Sequence, residues 1–321
     1  MPTLDSPNPA LRASGVNGSK HVPTQVRPGD PAADAIRAAL AEGRYWLGVN
    51  APRALSGDPE GVHYLRTTTR RVRTALELFR DLTDREWSDR LAEEFQWLGG
   101  LLGEVRDLDV MAGRFRAAAD AAGGGAAEAL GPLFDEMGAR HGAASESLRE
   151  SLRGERFERL AGSLAEAVSS VPFNDSALGP CRETLPLLVK AAWKQLKRDG
   201  RALEADSPDE DFHEVRKRAK RSRYATEAVR SALDSDQAEA ARRFARRARK
   251  VQDVLGAHQD AVVAADELRR AAGARPDLGR FNFAAGRLLE RESRASASCR
   301  DQFFEVWPDL DRKKVVRWLS T

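Results

Sequence analysis

Apolar residues recur at helical spacing along nearly the whole chain. Val62, Leu65, Val72, Leu76 and Phe79 follow one another at intervals of three, four or seven residues. That spacing lines one face of an α-helix and does not alternate as a strand would. The pattern predicts helices over about 31–49, then from Pro59 onward, and over about 84–121, 126–152 and 155–170. A second series follows over about 179–199, 208–233, 236–272 and 278–305, with a short helical end near 312–319. Gly123-Gly124-Gly125 and the stretch from Val171 to Asp175 interrupt the periodicity. Asp30-Pro31, Asp58-Pro59-Glu60 and Ser207-Pro208-Asp209-Glu210 read as helix starts. Each offers a capping side chain followed by proline at the first helical position, and the last also carries a glutamate suited to a capping box. Residues 1–30, rich in Pro, Gly, Ser and Asn without periodicity, read as a disordered tail.

The two series are related. Val62-His63-Tyr64-Leu65-Arg66 resembles Phe212-His213-Glu214-Val215-Arg216, and an offset of 150 carries Arg70, Arg71 and Arg73 onto Lys220, Arg221 and Arg223. The same offset carries Arg44 onto Lys194. Leu102-Gly103-Glu104-Val105-Arg106-Asp107 resembles Leu255-Gly256-Ala257-His258-Gln259-Asp260 at an offset of 153. Two matching blocks in the same order read as an internal repeat. The expected fold is all-α: two four-helix-bundle halves, 31–172 and 173–321, related by pseudo-two-fold symmetry.

Composition supports helices and adds little about partners. Hydrophobic residues make up 41% and charged residues 31% of the 321 positions, and the formal net charge is only +3. Ala, Leu, Arg and Glu, all good helix formers, dominate. Cys181 and Cys299, the two cysteines, lack metal-ligand spacing and form no disulfide framework, as in a reducing compartment. No stretch approaches the ~20 apolar residues of a membrane span, and no secretory signal opens the chain. A cytoplasmic protein with no membrane partner is expected.

The placement of charge is more informative than its sum. On a wheel of about 100° per residue, Arg66, Arg70 and Arg73 lie within about 80° of His63, away from the apolar face, and Arg71 sits apart on the flank. His213, Arg216, Lys220 and Arg223 take the same angles, with Lys217 and Arg221 widening the patch. Residues 212–250 carry thirteen basic and five acidic side chains, a net of +8, so this segment alone exceeds the charge of the whole chain. Charge runs on helices are ordinarily solvated faces. Here two helices repeat the run at the same angles, and like charges one turn apart repel by a few tenths of a kcal/mol per pair, so the stripe costs stability unless an anion sits on it. Arg242, Arg246 and Arg249 correspond to Asp89, Glu93 and Gln96, so the positive field should be stronger on the second half. His21, His141 and His258 show no pattern and read as incidental. His63 and His213 lack metal-completing residues one turn on, and no metal is expected.

At the repeated blocks the chain resembles a known family. Val-His-x-Leu-Arg-x-x-x-Arg-Arg-x-Arg at 62–73, Phe-His-x-Val-Arg-x-x-x-Lys-Arg-x-Arg-Tyr at 212–224 and Leu-Gly-x-x-Arg-Asp-x-Asp at 102–109 are similar to the signatures of CHAD domains, the conserved histidine α-helical domains. The resemblance covers about residues 32–310. It implies two helical bundles with a basic central groove, binding of inorganic polyphosphate and association with polyphosphate granules. Carried over by motif position, the binding residues are His63, Arg66, Arg70, Arg71, Arg73, His213, Arg216, Lys220, Arg221 and Arg223. The basic stripe adds Lys217, Arg242, Arg246 and Arg249, and the preceding helices add Arg44 and Lys194. The second half departs from the family at Ala257-His258-Gln259-Asp260. No triphosphate-cleaving tunnel domain is visible, and neither a Gly-rich phosphate loop nor a carboxylate cluster, so no catalytic residue, cofactor or enzyme activity is expected. A nucleic-acid-binding protein is the chief alternative, and a metal-dependent polyphosphate-processing enzyme the lesser one. Other polyanions, a homodimer and polyphosphate-metabolising proteins stay open as partners.

Overall fold

Helix-forming composition and glycine and proline punctuation produce a chain that is helical almost throughout. The computed structural model describes residues 25–320. Among these, eleven α-helices are α1 (Ala32–Leu55), α2 (Pro59–Phe79), α3 (Arg85–Ala122), α4 (Ala126–Ala129), α5 (Gly131–Arg153), α6 (Glu155–Ser169), α7 (Cys181–Ala202), α8 (Asp209–Val229), α9 (Ser235–Gly273), α10 (Gly279–Leu310) and α11 (Lys313–Val316). Extended pairing among the described residues is limited to two isolated bridges. No described helix is long and apolar enough to cross a membrane.

The local signals work where a side chain reaches a helix N–H. The Asp58 carboxylate accepts from the Glu60 amide at 2.9 Å and caps α2. Gly123, Gly124 and Gly125, with φ of 62°, 60° and 74°, turn the chain out of α3 through a region that L side chains rarely enter. Two expected caps are corrected. Asp30 accepts from the Arg27 amide at 2.8 Å, and Ser207 Oγ accepts from the Glu204 amide at 2.9 Å. Pro31 and Pro208 occupy the cap positions instead. Both polar side chains close the preceding turn, a use that competes with capping. The first helix also runs past its expected end to Leu55. Its last turn is pinned by Arg53 Nε donating to Asp58 at 2.8 Å. Residues 25–30, expected in the tail, are folded in part: Val26 is buried, and the Arg182 amide donates to the Pro28 carbonyl at 3.0 Å. His21 lies outside the described residues, as does the rest of the expected tail up to residue 24.

Two cross-helix polar contacts show the register of the long arms. His141 lies 3.0 Å from Asp109, and Arg156 lies 2.8 Å from Glu94. Fifteen residues forward on one side match fifteen back on the other. Helices α5 and α6 therefore run in line, antiparallel to α3, with the extended backbone of Gly154 as a mere interruption. Each series thus has four long arms: α1, α2, α3 and α5–α6, then α7, α8, α9 and α10. Backbone bonds stitch the starts of the two series together, Ala32 N–H to the Gly179 carbonyl and Cys181 N–H to the Asp30 carbonyl, both at 2.9 Å.

One connected hydrophobic cluster runs through both series. Phe79, Phe95, Phe115, Phe157, Phe212, Phe244, Phe281 and Phe303 are its largest fully buried members, each worth roughly 1.5–3 kcal/mol of burial. In the second series Trp193 meets Phe244 edge-on at 5.5 Å and stacks on Trp307 at 6.2 Å. This core holds α2 against α8, with their basic faces turned toward each other.

Candidate anion-binding site

The two stripes come together where α2 meets α8. The Arg70 guanidinium lies over the Tyr224 ring at 5.1 Å, and Arg223 covers the same ring at 4.2 Å. Arg223 is fixed further by its Nε donating to Gln252 at 2.9 Å and by Glu227 at 3.1 Å. Lys220 is half-buried among these cations and makes no hydrogen bond or ion pair with any described residue. Loss of solvent pushes its pKa down to about 7, and the charges of Arg70, Arg216, Arg66 and Arg73 add to the shift. Arg70 is also held below the usual arginine range, first by burial and then by Arg66, Arg223 and Arg71, with Tyr224 opposing. The Nε atoms of Arg70 and Arg216 and the Nδ1 atom of His213 are buried without a hydrogen-bond partner. Two like charges about 6 Å apart repel by roughly 3 kcal/mol at the effective dielectric of a protein surface. A cluster with this excess of positive charge favours an anion that supplies the missing acceptors.

The second repeated block orders one end of the cluster. Asp107 accepts from Arg66 at 2.7 Å, and the Gly103 carbonyl lies 3.4 Å from the same guanidinium. A Cβ on Gly103 would lie 3.9 Å from the Arg66 guanidinium carbon, and one on Gly256 would lie 3.6 Å from Arg216 Nε. In both series the block's glycine therefore passes under the first arginine of the stripe. Its aspartate in the second series, Asp260, feels Arg216 and Arg114 as lowering influences, yet loss of solvent, with Asp107 nearby, leaves its pKa raised. Tyr224, Asp107 and the two glycines belong to the site although sequence reasoning assigned them no role. The signals were present: Tyr224 is the aromatic that directly follows Arg223, and the glycine and aspartate recur in both blocks.

Other expected residues divide. Arg73 joins the cluster and is 3.3 Å from Glu77. Arg221 is half-buried on α8, and Arg44 half-buried on α1. Lys194 is exposed on α7, and His63 is exposed with its ring edge-on to Tyr64 at 5.4 Å. Lys217 is exposed and paired with Glu214 one turn away, an ordinary solvated pair. Arg71 turns to the opposite flank of α2, 3.8 Å from Glu42. There it lines a cavity of ≈ 1110 Å³ with Arg242, Arg246, Arg249 and Arg223. The extra charge of α9 thus faces α1 and α2 of the first series, which redistributes a field expected to be stronger on the second half. His258, read as incidental, is fully buried, 3.0 Å from Asp209 and 3.3 Å from Arg300 Nε. It ties the start of α8 to α9 and α10. Among the described residues no group of three or more His, Cys, Asp or Glu side chains is placed to hold a metal ion.

The profile of the CHAD domain matches residues 35–269. The chain belongs to the CHAD domain family. Two uncharacterized proteins of Mycobacterium tuberculosis, from two strains, are each 27% identical to this CHAD protein in an alignment of 308 positions that covers 90% of the chain. The chain spans about half the length of these relatives, 54% in each case. Two solved structures share the fold. PptA from Streptomyces chartreusis has a TM-score of 0.73 at 24% identity, covering 87% of this chain and 99% of its own. The CHAD domain from the plant Ricinus communis has a TM-score of 0.69 at 22% identity, covering 91% of this chain and 96% of its own. The facing α2 and α8 described above thus lie within a chain of the CHAD fold.

Proposed function

We propose that this CHAD protein binds inorganic polyphosphate along the cleft where α2 meets α8, and that it acts as a binding module rather than an enzyme. The observation that carries the reading is the convergence of Arg66, Arg70, Arg73 and Arg216 around Lys220, which has no carboxylate partner, with Arg223 sharing the Tyr224 ring with Arg70. A linear chain with about one charge per phosphate can run along guanidinium groups spaced a helical turn apart. Arginine forks suit phosphate oxygens. The His213 ring and the Arg70 and Arg216 Nε atoms are buried polar atoms in need of partners. Base-stacking surfaces are scarce in the cleft, because Tyr224 is already covered by two guanidinium groups. This disfavours single-stranded nucleic acid, which gains about 1–3 kcal/mol per stacked base. In a cytoplasmic setting such a module would gather at polyphosphate granules.

The test is a salt-dependent binding titration with polyphosphate of defined chain lengths. Affinity should fall steeply with salt, as counterions released on binding are recaptured. Duplex DNA or RNA that displaces long-chain polyphosphate at equal phosphate concentration would overturn the reading in favour of nucleic acid. Orthophosphate released from polyphosphate with added divalent metal would overturn the non-catalytic part.

A further inference from the structure

The cavity of ≈ 1110 Å³ beside the cleft, bounded by residues 25–28, α1, α2, α8, the turn after α8 and α9, has chemistry the cleft lacks. Its floor is aliphatic, lined by Ala35, Ala38, Ala39, Val72 and Ala75. Two carboxylates, Glu42 and Glu227, stand among its arginines. Trp46 lies at its edge, 38% exposed, with its ring edge-on to Tyr45 at 5.1 Å. A bare phosphate chain gains nothing from an aliphatic floor or an indole, and it is repelled by carboxylates. A ligand with an anionic head and a flat body that donates hydrogen bonds is satisfied by all three features.

The cationic side suits such a head. Arg246 makes no ion pair or hydrogen bond with a described residue. Arg242 and Arg249 are held only by exposed acids one turn away, Glu239 at 2.7 Å and Asp253 at 3.7 Å, pairs that give way at little cost. The volume exceeds what a ligand of several hundred daltons requires. We propose that this cavity binds a nucleoside polyphosphate. Its phosphates lie on Arg71, Arg242, Arg246 and Arg249, its base lies against Trp46 and the alanine floor, and its N–H donors reach Glu42 or Glu227. The site lies on the opposite flank of α2 from the polyphosphate cleft and meets it only at Arg223, Tyr224 and Glu227, so substitutions at Trp46 and Ala38 probe it without touching the cleft.

The experiment is calorimetric titration of the full chain, without divalent metal, with ATP and with tripolyphosphate as the matched head group. ATP is expected to bind at least about tenfold more tightly, the gain of one stacked base. Trp46→Ala should bring ATP down to the tripolyphosphate level and leave long-chain polyphosphate binding unchanged. Ala38→Leu, which fills the floor, should do the same without touching the indole. ATP binding no tighter than tripolyphosphate, or an ATP advantage that survives both substitutions, would overturn the assignment. Loss of polyphosphate binding with the ATP advantage retained would sink the first reading alone.

Discussion

Arginines on the outer faces and cations between α2 and α8 are stabilised in different ways. On the outside Arg90 meets Glu86 at 2.7 Å, Arg159 meets Glu155 at 3.2 Å, Arg269 meets Asp266 at 2.7 Å and Arg294 meets Glu290 at 2.7 Å. Each pair lies one turn apart, exposed, and is worth roughly 0.3–0.5 kcal/mol. Between the helices Lys220 has no acid, while Asp107, Glu77 and Glu227 reach only the arginines around it, Arg66, Arg73 and Arg223. A net charge of +3 hides this division. The lesson is that the crowding of cations around a half-buried, acid-free lysine is what counts toward anion binding, whatever the total charge.

The largest effect tests that division directly. Replacing Arg216, Lys220 and Arg223 together with Glu should abolish polyphosphate binding while the far-ultraviolet circular dichroism stays helical. The outer triple Arg90→Glu, Arg159→Glu and Arg294→Glu makes the same change in net charge and should leave the affinity close to that of the wild type. If the outer triple weakens binding as much as the inner one, the comparison collapses to bulk charge. The salt slope gives a second reading: it should fall by about 0.7–0.9 for each phosphate that is no longer neutralised, by analogy with nucleic acids.

Lys220 sharpens the comparison through pH. Its pKa in the folded, unliganded chain is about 7, against 10.5 for an unperturbed lysine. Between these values the unfolded chain binds the extra proton, so the stability of the unliganded protein should rise with pH across that window. Below the window both states are protonated and the repulsion is felt in full. A bound anion favours the ammonium form, so binding above pH 7 should take up a proton, and affinity should weaken as pH rises past 7. Titrations in two buffers of different ionisation enthalpy measure that proton. Lys220→Met should remove both the uptake and the pH slope of stability. An unchanged slope in Lys220→Met would transfer the titration to another group.

Much of this was legible before the structure. Periodicity and breakers located the long helices, since a buried helical face demands apolar residues every three or four positions. The repeat and the wheel identified His213, Arg216, Lys220 and Arg223 as one face. What stayed hidden depends on tertiary contact. No periodicity states that the two stripes face each other, that Arg71 turns away toward Glu42, or that Arg242, Arg246 and Arg249 lean over α1 and α2. Asp30 and Ser207 looked like caps because a capping side chain and a turn-closing one share the same chemistry. His258 looked incidental because its partners, Asp209 and Arg300, are 49 and 42 residues away in sequence.

A smaller effect concerns Asp107, the carboxylate that holds Arg66. Asp107→Asn removes a negative charge beside Arg66 and keeps an acceptor for its guanidinium. Affinity for polyphosphate at low salt should rise by about two- to threefold, the scale of a single exposed charge, and the gain should fade as salt screens it. A loss of affinity would mean that Asp107 contributes by orienting Arg66 more than it costs by its charge.

The smallest effect is expected on the outer face, and it guards the comparison against a trivial explanation. Arg294 is exposed and paired with Glu290 one turn away, so Arg294→Ala should change unfolding stability in urea by less than about 0.5 kcal/mol. Lys220→Met, by contrast, should stabilise the unliganded chain near pH 6, where the wild-type ammonium is charged, half-buried and without an acid. The sign separates the two regions: removing an outer cation loses a weak attraction, and removing the inner one relieves a repulsion. Equal and negligible changes in both variants would mean that solvent screens the inner cluster as fully as the outer pairs. The cleft would then be an ordinary solvated face.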